Sequence, residues 1–406
     1  MLYFRNFELA KKYRISEGTI RNWIKTAREG KLSLEIYEES GKYYIANIPA
    51  NTPLIERLVD ANRKYRNSAS LKVIEPKTEF YETFTESEVY EIVRNIETHH
   101  EIPRQYNYFD GGAVEWDKYA QRLAEEDSPN LLNRTVDFLA DNREYLDLML
   151  TKYATVNVID VGPGNGLPVK DLLSHFLERG KLGKYIAIDV SSDMLKIARD
   201  NITTWFGGTV EYEEYKLDIT HERFGAFLAR DYVDRGANDH CNIVLLLGGT
   251  PDNLRKPDDA FWTVHESMNV NDLLIYTDKL ETEEMRPQWF DYTVKPGKLS
   301  LSPMHRVVFD MLNIDDSFYD VEMGFDERIG ERYTRARFNV ALTLKFKFGG
   351  GTRVITLEKG DAVLLWRSWQ ITNQNYMRQF THNEFHVVHM SQTQDKQYIM
   401  VIAQVE

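Results

Sequence analysis

The chain has 406 residues, a net charge of −13 and one cysteine, Cys241. That length supports two or three domains, and a lone cysteine, expected in a buried strand, excludes intramolecular disulfides and cysteine-rich metal sites, so no metal is expected. The longest apolar run near a strand, "NIVLLLGG", falls far short of the ~20 residues that span a bilayer; the N-terminus also lacks a signal-peptide core, so a cytoplasmic protein without a membrane partner is expected.

The charge is uneven. Residues 1–77 hold 15 Lys/Arg against 9 Asp/Glu, a balance of +6, which leaves −19 on the rest. Within this basic head, "FELAKKYRISEGTIRNWIKTARE" carries apolar or small residues at Leu9, Ala10, Ile15, Ile20, Trp23, Ile24 and Ala27. This spacing predicts two short helices about a tight turn, with Ser16 capping the second. "LSLEIYEESGKYYIANI" follows as two alternating segments about Ser40-Gly41, a hairpin. Helix, turn, helix and hairpin together resemble the winged helix-turn-helix headpieces of MerR and excisionase-like proteins. That resemblance implies DNA contact through Arg21, Asn22, Lys25 and Arg28 on the exposed face of the second helix. The competing reading is a docking or dimerisation module with a protein partner. The headpiece is taken as residues 1–48, with 49–77 as a helical linker.

Residues 78–150 read as a helical cap, including "ESEVYEIVRNIETH", "QYNYFDGGAVEWDKYAQRL" and "NLLNRTVDFLADNREYLDLML". From Val156 the chain alternates strand and helix, the pattern of a parallel sheet with covering helices. "VNVIDVG", "KYIAIDV", "VEYEEYKLDI", "CNIVLLLGG" and "DLLIYTDKL" are the expected strands within 151–280. Residues 281–375 break the rhythm, with helix-like pieces and two strands, "NVALTLKFKF" and "TRVITLEKG". Residues 376–406 close with "EFHVVHMSQ" and "QYIMVIAQV", two strands of a terminal hairpin.

The loop "VIDVGPGNGLPV" carries the chemistry. A dinucleotide fingerprint would need glycine where Leu167 stands, and a Walker loop needs a Gly-Lys-Ser/Thr ending that is absent. What stands here is Asp160, Gly162, Gly164 and Gly166 in an Asp-x-Gly-x-Gly-x-Gly array. Asp189 ends the second strand, where a carboxylate can accept two ribose hydroxyls. Asp218, with Ile219 beside it, follows the third strand, where it can accept from an adenine amino group.

Loop, spaced acids and terminal hairpin resemble class I S-adenosylmethionine (SAM) methyltransferases. The resemblance implies an α/β fold: a seven-stranded Rossmann-like core with an inserted α+β substrate domain, added to the small winged-helix-like N-terminal domain. It also implies SAM as cofactor. A narrower likeness covers roughly residues 100–406. "QYNYFDGGAVEW", "NLLNRT", "DVGPGNG", "YIAIDVS", "LDIT" and "LLLGGTPDNL", in that order, look like the amino-acid Nα-methyltransferase family. The family's aromatic-Gly motif falls on Tyr106, Tyr108, Asp110 and Gly112, which implies that Tyr108 lies against the cofactor. Its Leu-Gly-Ser-Thr-x-Gly-Asn motif falls on Leu247, Gly248, Gly249, Thr250 and Asn253.

The substrate motifs depart from the family. A Tyr-Tyr pair is replaced by Asn130-Leu131. The Phe-Asn pair falls on Met304-His305, and the Glu-x-Ser pair that reads an imidazole falls on Trp366, Arg367 and Ser368. Losing a carboxylate for an indole argues against histidine as substrate. The resemblance then implies methyl transfer to a small-molecule amine, with nitrogen favoured over oxygen. Asn253, Trp366 and Ser368 are expected at the substrate, Trp366 and Trp369 as pocket walls, and His305 as the candidate base. The place after the fourth strand reads "GGTPDN" instead of the base-gripping motif of DNA amino-methyltransferases, and the body is acidic, so nucleic acid is not the expected acceptor. Two rivals remain: a DNA-binding regulator whose methyltransferase fold senses SAM or another ligand, and a catalytically silent scaffold. A homodimer fits any of the three.

Overall fold

The computed structural model describes residues 2–13, 15, 17–68, 72–109, 111–235, 239–280, 299–369 and 372–405. They form two compact units. The smaller comprises Met1–Val73, Val340–Thr343 and Thr356–Lys359, and the larger holds the remainder.

The smaller unit begins with β1 (Tyr3–Phe4), α1 (Asn6–Tyr13) and α2 (Glu17–Arg28), followed by β2 (Ile36–Glu39), β3 (Lys42–Ala46) and α3 (Asn51–Ser68). β2 and β3 pair antiparallel about Ser40-Gly41, and β1 adds to the far edge of β3. Both turn residues have positive φ, 53° and 78°, which matches the right-handed strand twist that two-residue hairpins require. Ile20, Trp23 and Ile24 of α2 form a core with Leu9 and Ile45. The segment expected as a linker joins them: Ile55 and Val59 of α3 lie in the same core. Buried Asn51 fixes the start of α3 by donating to the carbonyls of Glu35 and Ala46, both at 2.8 Å. Ser16, the expected cap of α2, lies outside the described residues.

The division between the units falls within β4 (Lys72–Ile74), and the larger unit continues with α4 (Thr78–Thr83), α5 (Glu86–His99), α6 (Gly112–Glu125), α7 (Leu131–Asp141) and α8 (Arg143–Met149). The alternating region gives β5 (Thr155–Val161), α9 (Lys170–Glu178), β6 (Leu182–Asp189), α10 (Ser192–Phe206), β7 (Tyr212–Lys216), α11 (Gly225–Arg235), β8 (His240–Leu246), α12 (Pro257–His265) and β9 (Leu273–Lys279). Strand side chains divide between two cores. Val158, Ala187, Ile243 and Leu245 pack with Leu172, Phe176 and Leu195 of α9 and α10 on one face. Ile159, Ile186, Val244 and Leu246 pack with Leu228, Phe261 and Tyr376 on the other. Cys241 is buried in β8 as expected.

Next come α13 (Pro303–Met311), β10 (Tyr319–Asp326), β11 (Glu331–Phe338), β12 (Leu342–Phe348), β13 (Gly351–Leu357), β14 (Ala362–Trp369) and α14 (Asn373–His382). The two strands expected here are β12 and β13; β10, β11 and β14 correct that expectation. Buried positions of β11 carry Thr334, Ala336 and Phe338 between part-buried arginines. Small and polar residues on the inward face blur the period-2 hydrophobic signal.

The last strands, β15 (Phe385–Gln392) and β16 (Tyr398–Val405), close the main sheet in the order β15-β16-β9-β8-β5-β6-β7. β5 to β9 are mutually parallel, and β16 inserts antiparallel between β9 and β15. This is the α/β class I methyltransferase fold, with a seven-stranded, mostly parallel sheet. Strand order reverses between β5 and β8, where open α/β sheets leave a crevice at their carboxyl ends.

Candidate active site

That crevice is occupied by a cavity of about 890 Å³. Its floor is the glycine loop after β5. Gly162, Gly164 and Gly166 have φ of 73°, 57° and 76°, left-handed values that favour glycine. A Cβ on Gly162 would lie 3.2 Å from Thr250 Oγ1, and one on Gly164 would lie 2.5 Å from the Trp116 ring. Asn165 holds the loop's shape: its Oδ1 accepts from Leu167 N at 3.1 Å, and its Nδ2 donates to Asp117 at 2.9 Å. Gly162 and Gly164 line the cavity. Gly166 turns toward Ile202 and Trp205 on α10, so it shapes the loop from behind.

Around this floor the cavity gathers Tyr108, Asp160, Asp189, Asp218 and Ile219. Burial pushes Asp160 and Asp189 up to about 7 each, against hydrogen bonds that pull the other way. Asp160 accepts from the Tyr185 hydroxyl at 2.8 Å, and one oxygen of Asp189 accepts from Ser191 N at 2.8 Å. Asp218 Oδ1 is engaged by Thr220, through its backbone N–H at 2.9 Å and its hydroxyl at 2.7 Å. The carbonyl of Tyr108 accepts from Ser191 Oγ at 3.1 Å, tying the aromatic segment to the start of α10. Asp110 of that segment lies outside the described residues.

The opposite wall comes from the loop after β8, from α13 and from the sheet β10-β11-β14. Asn253, His305, Trp366 and Ser368 all line it. Trp369 does not; its indole N–H donates to the Leu254 carbonyl at 2.7 Å. Strand alternation explains the difference: the pairing of β11 with β14 is regular from Trp366 to Trp369, so Trp366 and Ser368 share one face and Arg367 and Trp369 the other. Arg367 points away from Trp366, into a buried ion cluster with Glu101 and Glu331. Asn130 is the N-cap of α7, accepting from Asn133 N, and Leu131 lines the cavity. His305 sits in the first turn of α13, with Nδ1 3.1 Å from Ser302 Oγ and Nε2 without a partner among the described residues. Burial first, and the positive charge of Arg104 second, lower its pKa to about 4.

Several lining residues escaped the sequence reading. Arg104 donates to Asn253 Oδ1, and the Asn253 amide donates to the Gly249 carbonyl at 2.8 Å. Asp252 and Asp278 also line the wall. The signal for Asp278 was present: like Asp189 and Asp218, it is an acid at the carboxyl end of a parallel strand. Met323, Arg332 and Thr334 come from β10 and β11, and no signal marked those strands.

Among the described residues no helix is long and apolar enough to cross a membrane, and no group of His, Cys, Asp and Glu forms a metal site. The glycine cradle and the Asp189 carboxylate beside it fit an adenosyl cofactor. The chain is similar to the crystal structure of an S-adenosylmethionine-dependent methyltransferase from Clostridium acetobutylicum ATCC 824, with 11% identity, 72% of this chain and 97% of that chain covered, and a TM-score of 0.39. It is similar also to the glycopeptide N-methyltransferase MtfA complexed with SAM, with 13% identity, 66% and 94% covered, and a TM-score of 0.34. A third likeness is SAM-bound CalS10, an amino pentose methyltransferase from Micromonospora echinaspora, with 13% identity, 71% and 96% covered, and a TM-score of 0.33. No curated protein matches the chain. The model of the histidine-specific, SAM-dependent methyltransferase family matches residues 130–405, and the chain belongs to that family.

Proposed function

We propose that this SAM-dependent methyltransferase methylates the nitrogen of a small molecule with an aromatic or apolar body, and that histidine is not its substrate. One observation carries the reading: a single cavity joins the acids at the ends of β5, β6 and β7 to a wall bearing Trp366, Ser368, Asn253 and His305. Bound SAM supplies an electrophilic methyl on a sulfonium sulfur. Gly162 and Gly164 admit the cofactor close to the backbone. Asp189 accepts the ribose hydroxyls, Asp160 faces the ammonium end, and Asp218 with Ile219 and Tyr108 bounds the adenine and ribose. Gly166 keeps the loop's curvature.

On the acceptor side, Trp366 covers an apolar body and Ser368 and Asn253 orient polar groups on it. The indole stands where an imidazole-reading carboxylate would be needed, so a polar ring placed there loses its partner. His305 orients the acceptor. A ring whose pKa is about 4 is neutral near pH 7 and accepts a hydrogen bond, but it is too weak a base to hold the proton of an ammonium. Methyl transfer needs the neutral amine, so the bound nitrogen must give up its proton before it attacks the sulfonium methyl.

The experiment is turnover with isotopically labelled SAM against a panel of amines and histidine, followed by mass spectrometry. Turnover on histidine matching that on the best amine sinks the acceptor assignment.

For the headpiece, a second reading rests on Arg21, Asn22, Lys25 and Arg28, all exposed on α2. We propose that this face contacts DNA phosphate, making the protein an enzyme tethered to DNA or, alternatively, a regulator that senses SAM. Two contacts temper the face's charge: Arg21 pairs with Glu17 at 3.7 Å, and Arg28 stacks over Tyr43 at 3.9 Å. A docking surface for a protein partner or a second copy is the competing outcome.

A further inference from the structure

On the acceptor wall two carboxylates share too few protons. Asp278 Oδ2 accepts from the Tyr276 hydroxyl at 2.5 Å and lies 2.6 Å from the Tyr376 hydroxyl. Asp252 Oδ2 lies 2.8 Å from that same Tyr376 hydroxyl. A phenol has one proton, so Tyr376 can satisfy Asp252 or Asp278 but not both. Asp278 Oδ1 takes the Lys279 backbone N–H at 2.5 Å. Asp252 Oδ1 is left without a partner among the described residues, on a side chain only 2% exposed. Two buried carboxylates reaching one hydroxyl cannot both ionise without a compensating charge. In the free protein the pair therefore retains one proton, and burial together with Asp278 holds Asp252 far above the usual carboxylate range.

Position decides what else could compensate the pair. Asp252 and Asp278 line the cavity, whereas Tyr276 and Tyr376 do not. The open side of the cluster is thus the carboxylate side. It lies beyond the ends of β8 and β9, across from the glycine loop. Two local departures from the Leu-Gly-Ser-Thr-x-Gly-Asn pattern meet here: Gly249 in place of serine and Asp252 in place of glycine. The first leaves room for Asp278, since a Cβ on Gly249 would lie 2.6 Å from Asp278 Oδ1.

We infer that Asp252 and Asp278 form the subsite for the acceptor's cationic nitrogen, which makes the acceptor a primary or secondary ammonium compound. The inference rests on the methyltransferase reading and deepens it. The ammonium supplies donors to the paired carboxylates and replaces the shared proton. The titratable groups that touch the pair are Tyr276 on β9 and Tyr376 on α14; Lys279 and Arg104 line the same cavity, with the Lys279 ammonium over the Tyr398 ring and Arg104 on Asn253. Affinity for the cation rises with pH for as long as the free pair holds its proton.

The test uses the full chain saturated with S-adenosylhomocysteine and two matched sets of ligands, tryptamine against 2-(indol-3-yl)ethanol and phenethylamine against 2-phenylethanol. Calorimetry in two buffers of different ionisation enthalpy reads both affinity and proton release. At least one amine is expected to bind about tenfold or more tightly than its alcohol, the scale of hydrogen bonds to a charged group. About one proton should be released per amine bound near neutral pH, by the linkage between cation and proton. Asp252→Asn should abolish both the preference and the proton release, with S-adenosylhomocysteine affinity reporting an intact fold; Asp252→Gly substitutes if that variant does not fold. Equal binding of amine and alcohol, including no binding of either, overturns the inference, as does an undiminished preference in the Asp252 variant. Failure of S-adenosylhomocysteine to bind would instead count against the methyltransferase reading. The same amine and alcohol comparison on the unliganded chain would then decide the carboxylate pair.

Discussion

The Trp116 ring stands where a side chain on Gly164 would begin, 2.5 Å from the position of a Cβ. Helix α6 thereby presses directly on the glycine loop. Gly180, after α9, has a similar φ of 64° but open space around it. Both Gly→Ala variants should lose roughly 1–2 kcal/mol for the left-handed backbone. Gly164→Ala should lose more, because Trp116 must also move, and it alone should weaken cofactor binding. Denaturant midpoints of the two variants check this; equal losses would remove Trp116 from the loop's support.

Asp189→Ala should weaken SAM and S-adenosylhomocysteine by about 1.5–3 kcal/mol, the scale of hydrogen bonds to a charged group. Calorimetry on the full chain is the measurement. Unchanged affinity would take Asp189 off the ribose.

The two acids near 7 also set a pH dependence. In the free protein Asp160 and Asp189 gain protons as pH falls through about 7. A protonated carboxyl no longer serves as a double acceptor or as a counter-charge, so S-adenosylhomocysteine affinity should fall below pH ~7 and level off above it. The slope approaches roughly tenfold per pH unit for each group whose ionised form binds. The same raised values destabilise the ligand-free fold as pH climbs from the unfolded carboxyl range, near ~4, toward 7. Titrations from pH 5.5 to 8.5 should show the first effect, and unfolding midpoints without ligand the second. A flat affinity profile would contradict the assignment of both acids to the cofactor.

Arg367, 8% exposed, binds Glu101 at 2.5 Å and Glu331 at 3.1 Å behind the Trp366 wall. Arg367→Ala should cost about 3–5 kcal/mol, because it leaves two buried carboxyls without their cation. Stability near or above that of the parent at pH 7 would show that water reaches the cluster.

For the headpiece, Arg21→Ala with Lys25→Ala should weaken DNA binding and flatten its salt dependence, since each phosphate contact releases counterions. Cofactor affinity should not change. The docking alternative predicts instead that removing residues 1–77 alters oligomeric state and that the headpiece shows only background affinity for DNA. Mobility shifts at two salt concentrations, beside size-exclusion of the truncated form, separate the outcomes.

The sequence by itself determined the parallel core and the glycine loop and acids that meet in its cavity. Glycines at alternate positions and acids at strand ends are local necessities, because backbone approach and left-handed φ are properties of single residues. Asp160, Asp189 and Asp218 were therefore legible, as were the hairpin about Ser40-Gly41 and the terminal strands. Tertiary structure decided the wall formed by α13 and the sheet β10-β11-β14. β11 was hidden because its buried positions include Thr334 and Ala336, whose burial depends on partners far away in the chain. The fates of the two tryptophans follow from alternation once β14 is known to be a strand: Trp366 meets the cavity while Trp369 spends its N–H on Leu254. The proton shortage at Asp252 arises only when Asp278 and Tyr376, distant in sequence, converge on one hydroxyl. Whether a carboxylate is ionised depends on who shares its surroundings, and that is fixed by packing.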